Sequence, residues 1–374
     1  MKSDKTTPNV PTLRFKQYHC PWSTYHLSDI AEVVGGGTPD TTVPSLWNGD
    51  IQWFTPTEVG HQKYVSKSAR TITQLGLQKS SAKKLPAGSI LLSSRATIGE
   101  CSIAQRECTT NQGFQNLIPK NDTNNEFLYY LAQTKKHHFI KYASGSTFLE
   151  ISNSEIRKTK CTVPGTEEQT QIAAFLSALD DRISVQNKII SKYETLIKGL
   201  CDMIFRHDKS ASLSDLVKCK TSALQENMVS TCRRGEYKVL GASGAIAVID
   251  TYQFDESGIL VLKDGSKAGK IQFAQGKYSV IGTSVVLIPN EACDARYLYF
   301  AMSSIDFEKY KVGSGIPHIY FKDYSNERIY YPDKALRKKI TKTLDFYETM
   351  VEIERKMLSA MQKQKAFLLQ SMFI

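Results

Sequence analysis

PGTEEQTQIAAFLSALDDRISVQNKIISKYETLIKGLCDMIFR, residues 164–206, carries apolar side chains at Ile172, Leu176, Leu179, Ile183, Ile190, Tyr193, Ile197, Leu200 and Ile204. The spacing alternates by four and three, which is a heptad seam on a long α-helix. Thr166-Glu167-Glu168-Gln169 has capping-box spacing, and Pro164 stands just outside the helix start. About 40 residues of helix extend roughly 60 Å at 1.5 Å per residue. The single polar position inside the seam, Gln186, is the kind of residue that fixes helix register at some cost in stability.

Residues 332–374 repeat the frame with Ile340, Leu344, Tyr347, Val351, Leu358, Met361, Lys365, Leu368 and Met372, with Glu354 standing where the first copy has Gln186. A lone helix with such a stripe would expose a long apolar strip. The predicted pairing seam is therefore Ile172, Leu176, Leu179, Ile183, Ile190 and Ile197 with Leu344, Val351, Leu358 and Leu368. The competing reading packs each stripe on its own globular neighbour. Heptads alone leave parallel and antiparallel pairing open; the antiparallel pair, which puts the two domains at opposite ends, is the one expected.

Outward from the helices the repeat continues. Leu27-Ser28-Asp29-Ile30 returns as Leu213-Ser214-Asp215-Leu216, and Phe127-Leu128-Tyr129-Tyr130 as Tyr297-Leu298-Tyr299-Phe300, 170 residues on. Gly99 aligns with Gly269, Ser144-Gly145 with Ser314-Gly315, Pro164 with Pro332 and Phe205 with Phe373. Short apolar runs broken by Gly, Pro and Asn fill 85–118 and 257–289, the chemistry of strands and turns. The predicted fold class is α+β. Two strand-rich globular domains, 1–163 and 207–331, alternate with spacer helices at 164–206 and 332–374, which form a coiled coil in a pseudo-two-fold repeat.

A length of 374 residues exceeds one compact core. No run of 18 apolar residues occurs, and Met1 to Pro11 lacks the apolar stretch of a signal peptide; it reads as a flexible leader. The formal charge of +11 favours a polyanionic partner, and it concentrates in 1–163 (net +7) and 332–374 (net +4). The eight cysteines form no C-x-x-C pair and none sits near a His at zinc spacing, so no metal site is expected. Scattered thiols suit a reducing, cytoplasmic setting.

Several local stretches share a resemblance. They are Gly36-Gly37-Thr38-Pro39, Gly49-Asp50-Ile51-Gln52-Trp53-Phe54-Thr55-Pro56, Ser93-Ser94-Arg95-Ala96-Thr97-Ile98-Gly99 and Thr110-Asn111-Gln112-Gly113-Phe114. In the second half they are Leu262-Lys263-Asp264-Gly265-Ser266-Lys267-Ala268-Gly269-Lys270 and Gly313-Ser314-Gly315-Ile316-Pro317-His318. On the duplicated plan, in order, they resemble the specificity (S) subunit of type I restriction–modification systems, from about Tyr25 to Ile374. The resemblance implies two target-recognition domains, each reading half of a bipartite double-stranded DNA target. It implies helices that set the spacing and dock DNA methyltransferase subunits, with a restriction/translocase subunit as a further partner. It also implies a chain that is not itself an enzyme and binds no cofactor. S-adenosylmethionine, ATP and Mg would belong to the partner subunits.

Candidate DNA contacts follow from residue chemistry. Arg95, in a Ser/Thr/Gly loop after a strand, can reach guanine or a phosphate, or form an ordinary salt bridge. Asn111 and Gln112 can pair with adenine or simply make a turn. Lys83 and Lys84 are a phosphate clamp or a solvated loop. The second domain is nearly neutral, so its contacts would concentrate at Lys263, Lys267, Lys270, Lys309 and Lys311. Trp47 and Trp53 read as core aromatics ahead of base-stackers, and Gly35-Gly36-Gly37 as a flexible turn, since no Gly-Lys-Ser/Thr follows. Pro332-Asp333 and Glu354-Arg355-Lys356 mimic a nuclease PD…ExK pattern, but they lie on one helix about 30 Å apart and cannot share a metal. The alternatives are a coiled-coil protein scaffold and a self-contained nuclease or methyltransferase.

Overall fold

The computed structural model describes residues 9–145, 149–206, 210–229, 234–291, 294–313 and 315–374. Ser314 of the second-half motif, with Cys232 and Cys293, lies outside the described residues. The chain forms two compact units: residues 1–187 with 357–374, and residues 188–356.

Four helices frame these units: α1 (Asn125–Thr134), α2 (Thr166–Phe205), α3 (Ala295–Met302) and α4 (Lys334–Met372). The first unit is built on a five-stranded sheet in the order Ala31–Gly35, Gln115–Pro119, Ile90–Leu92, Cys101–Ala104, Tyr64–Val65. The second has a four-stranded sheet in the order Val217–Thr221, Ser284–Pro289, Gly258–Leu262, Ile271–Ala274. Each unit adds a three-stranded sheet, and each is closed by an antiparallel two-stranded ladder, Ser23–His26 with Lys160–Val163 and Ala211–Ser212 with Arg328–Ile329. The sequence repeat is thus a structural repeat.

Each core gathers the apolar face of its sheet, its short helix and one segment of each long helix. In the first unit Ile90, Leu92 and Leu117 meet Phe127, Leu128 and Leu131 of α1, Leu176 and Leu179 of α2, and Leu368 and Met372 of α4. In the second, Ile259, Val261 and Leu287 meet Tyr297, Leu298 and Ala301 of α3 with Cys201, Phe205, Ile340 and Leu344. Phe373 stacks on Phe127 at 5.2 Å, and Phe205 meets Tyr297 edge-on at 5.7 Å. Two residues matched in the repeat therefore pack on two others matched in the repeat. Burial of rings of this size contributes a few kcal/mol each.

The helix segments run antiparallel in both units. In the first, Lys365 pairs with Asp180 at 2.6 Å. Residues 13 and 14 bond Ser371 and Glu168 respectively, which sets the end of α4 beside the start of α2. In the second, Arg355 pairs with Glu194 at 2.6 Å, while Ile340 and Leu344 share a cluster with Cys201 and Phe205. Of the predicted seam, Ile172, Leu176, Leu179, Ile190, Leu344, Val351 and Leu368 are buried, and Ile183, Ile197 and Leu358 are half-buried. Gln186 is buried as well.

Two local expectations need correction. Asn9 to Pro11, expected as part of a flexible leader, is fixed: Asn9 O accepts from Trp22 N at 2.9 Å, and Pro11 is buried. Residues 1–8 lie outside the described residues. The glycine run at 35–37 is a point of close backbone approach rather than a flexible turn. A Cβ on Gly36 would lie 1.9 Å from Asn111 O, and one on Gly37 2.3 Å from Ala82 N.

Candidate nucleic-acid interface

In the first unit the motif loops, scattered through the sequence, converge. Gly37 N donates to Thr110 O at 2.9 Å, Ser94 N to Gly113 O at 2.8 Å, and Thr97 Oγ1 to Pro56 O at 3.4 Å. The Thr38 hydroxyl donates to Gln112 Oε1. A further strand-like segment joins here: Ile151 N donates to Ser94 O at 3.0 Å, and Ser144 and Glu150 exchange two backbone bonds of 2.9 Å. At the tip Ala96 adopts a left-handed backbone (φ 61°), a conformation uncommon for a residue with a Cβ.

The second unit repeats the backbone bonds around the bridge. Lys263 N donates to Thr283 O at 2.9 Å, Ile319 N to Lys263 O at 2.9 Å, and Val312 and His318 exchange bonds of 2.9 and 2.8 Å. Gly99 N closes on Ser93 O in one unit and Gly269 N on Leu262 O in the other. Both glycines have positive φ, 85° and 88°.

On that shared frame the side chains differ. Arg95 donates Nε (3.1 Å) and Nη2 (2.5 Å) to one oxygen of Glu150. At the matching bridge of the second unit Asp264 Oδ1 lies 2.8 Å from His318 Nδ1. Both pairs face solvent in part, with side chains 43% and 33% exposed in the first and 31% and 39% in the second.

The remaining candidates separate by their partners. Lys83 and Lys84 are exposed, and Lys84 pairs with Glu107 at 2.8 Å. Asn111 is an Asx-turn residue whose Oδ1 accepts from Gly113 N at 2.8 Å, which favours the turn reading. Lys309 is tied to Glu327, and Lys311 to Glu308 at 2.6 Å, so part of their charge is neutralised locally. Lys263, Lys267 and Lys270 make no ion pair among the described residues, and Lys267 and Lys270 are exposed. Trp47 and Trp53 are buried core partners, edge-on at 5.0 Å, with Nε1 atoms donating to Asp40 O and Gly37 O. Arg70, which sequence reasoning missed, lies 3.6 Å over the Trp47 ring. The (i, i+17) and (i, i+23) spacings joining these three residues carry no motif.

Asp333 caps α4, accepting from Leu336 N at 3.0 Å, while Glu354 sits half-buried in the seam, about 30 Å further along that helix. Burial pushes the Cys101 and Cys108 thiols up to about 12, far from the range of a thiolate nucleophile at neutral pH. Among the described residues no group of three His, Cys, Asp or Glu side chains could hold a metal ion, and no helix is long and apolar enough to cross a membrane.

This architecture defines a duplicated α+β protein carried on paired helices. Its backbone matches the S subunit of a type I restriction–modification system from M. genitalium with a TM-score of 0.62, at 15% identity over 98% of this chain and 99% of that one. A second match comes from a structure of type I restriction–modification complex assembly, with a TM-score of 0.55, 14% identity, and 94% and 98% coverage. The family model for the type I restriction modification DNA specificity domain matches residues 20–195 and again 209–362. The chain belongs to that family of specificity subunits.

Among curated relatives, the MjaIX specificity subunit of Methanocaldococcus jannaschii is 41% identical over 178 residues, 46% of this chain and 41% of the relative. The HindI specificity subunit of Haemophilus influenzae is 26% identical over 47% of this chain and 40% of the relative. The matched part thus spans about two fifths of those relatives. The EcoprrI specificity subunit of Escherichia coli is 21% identical over 87% of both chains.

Proposed function

We propose that the chain is the non-catalytic DNA-reading subunit of a cytoplasmic type I restriction–modification complex, each unit reading one half of a bipartite duplex target. The observation that carries this reading is the loop bridge, whose backbone bonds recur in the two units but which is dressed with different polar side chains. Such a pair of scaffolds suits two readers with different specificities. Phosphate contacts from Lys83, Lys263, Lys267 and Lys270 would position the duplex, and polar groups at the loop tips would read base edges. Linked readers gain affinity through effective concentration.

The long helices set the distance between half-sites and dock the methyltransferase subunits, which would supply S-adenosylmethionine chemistry; a restriction/translocase subunit would bring ATP and Mg. An apolar stripe outside the pairing seam supports the docking role. Phe346, Ile353 and Phe367 on α4 fall at multiples of seven and are 60%, 42% and 62% exposed. On α2, Leu196 and Met203 are 42% and 61% exposed, also seven apart.

Binding of the full chain, assembled with its methyltransferase, to labelled duplexes at graded salt tests the reading. Sequence-selective binding that weakens steeply with salt is expected. Stable assembly without any duplex preference would favour the protein-scaffold reading instead.

A further inference from the structure

Hydrogen bonding pairs Arg95 with Glu150 in one unit and Asp264 with His318 in the other, at the same bridge of the same frame. The polarity is reversed. In the first unit the cation stands on the hairpin loop and the carboxylate on the later segment; in the second the carboxylate stands on the hairpin loop and the imidazole on the later segment. Each pair also keeps unspent hydrogen-bonding capacity. Both Arg95 bonds go to a single carboxylate oxygen, so Arg95 Nη1 and Glu150 Oε1 make no bond among the described residues. Among the described residues His318 engages Asp264 through Nδ1 alone, leaving Nε2 and Asp264 Oδ2.

We propose that each pair reads one G·C base pair in the major groove, and that the reversed polarity makes the two units select opposite orientations of it. The inference rests on the loop frame being the DNA-facing surface. Across a G·C edge the groove offers two purine acceptors, N7 and O6, then the cytosine N4 donor. A cation beside a carboxylate matches that order: Arg95 Nη1 donates to guanine and Glu150 Oε1 accepts from cytosine. In the second unit Asp264 Oδ2 takes the cytosine amino group, and His318, held through Nδ1, presents Nε2 to guanine. An A·T edge runs acceptor, donor, acceptor, which would set thymine O4 against the carboxylate. Exchanging cation and carboxylate on an unchanged backbone exchanges the preferred bases.

The test uses the full chain in complex with its methyltransferase, selected against a random duplex library. The double variant Asp264→Arg, His318→Glu installs the first unit's arrangement and keeps an ion pair between the segments. It is expected to invert one base pair, C·G to G·C or the reverse, in one half-site only, with a preference of about 10–100-fold. Arg95→Gln, a second and milder variant, is expected to relax the G preference at one position of the other half-site by about tenfold, since the guanidinium donor to guanine is lost while the Glu150 carboxylate still disfavours thymine O4. An unchanged motif in either variant, or a change to A·T at the position targeted by the double variant, overturns the proposal. If the double variant fails to fold, Arg95→Gln decides alone. A wild-type complex that enriches no motif would overturn the DNA-reading function itself, a result distinct from a wild-type motif that the variants leave intact.

Discussion

At the base of each unit the short helix is tied to the first turn of a long helix, and the two ties differ chemically. In the first unit Asn124 N donates to Gln169 Oε1 at 3.0 Å, with Gln169 buried. At the matching positions of the second unit Arg337 donates Nε and Nη2 to the two oxygens of Asp294, at 3.0 and 2.9 Å, with side chains 8% and 4% exposed. Tyr331 donates its hydroxyl to Asp294 and lies under the guanidinium, 4.0 Å from it. Asp294→Asn removes the counter-charge and leaves Arg337 buried with neutral acceptors only, the amide oxygen of the substituted side chain and Pro332 O at 2.7 Å. An orphaned buried charge costs about 3–5 kcal/mol. With a urea slope of roughly 2 kcal/mol/M, the midpoint falls by about 1.5–2.5 M. Adding Arg337→Gln installs the first unit's residue types, Asn and Gln, removes the buried charge and should recover all but about 1 kcal/mol, a coupling of at least about 2 kcal/mol. Far-UV circular dichroism follows both units, whereas tryptophan fluorescence reports one, because Trp22, Trp47 and Trp53 all lie in the first. A single variant costing under about 1 kcal/mol, or a double variant as damaged as the sum of the singles, would refute this reasoning.

Three further outcomes are expected. Glu126 is pushed up by burial, but hydrogen bonds from Ser177, Tyr64 and Lys63 outweigh that and hold it below the usual carboxylate range. Its contribution is complete above roughly pH 4.3 and is lost as pH falls through the lowered value; acid titration of Glu126→Gln should show a shallower stability loss than wild type. Lys263→Gln, Lys267→Gln and Lys270→Gln should each lower the slope of log K against log salt by about 0.9, whereas Lys309→Gln, whose lysine is paired with Glu327, should leave it nearly unchanged. Phe346→Glu with Phe367→Glu, both on exposed positions, should abolish co-purification of the methyltransferase without moving the thermal midpoint by more than a few degrees.

The helices and the duplication were legible because both leave periodic traces. Heptad spacing runs the length of both helices, broken by few polar residues such as Gln186 and Glu354, and Phe127 and Tyr297 declare their equivalence by their neighbours. Helix direction left none, since it depends on which remote residues meet, as Lys365 meets Asp180. Arg95 was visible as a candidate, but Glu150 lies 55 residues away in a segment without a motif, and His318 lies 54 from Asp264. The repeat also slips. Aligning Gly99 with Gly269 sets Arg95 against Gly265, whereas the backbone bonds set it against Asp264, because the second hairpin is one residue longer. Side-chain partnerships decided the rest: Lys84 with Glu107 and Lys309 with Glu327 look like free cations until the fold supplies their acids.

The most direct test of two readers on one chain is to express it with its methyltransferase in a host lacking other adenine methylation, and to map methylated bases across the genome. The account predicts a split motif with a fixed gap, and replacement of residues 23–163 by the same unit of another specificity subunit should rewrite one half while preserving the other. A continuous motif, or both halves changing together when one unit is exchanged, would contradict it.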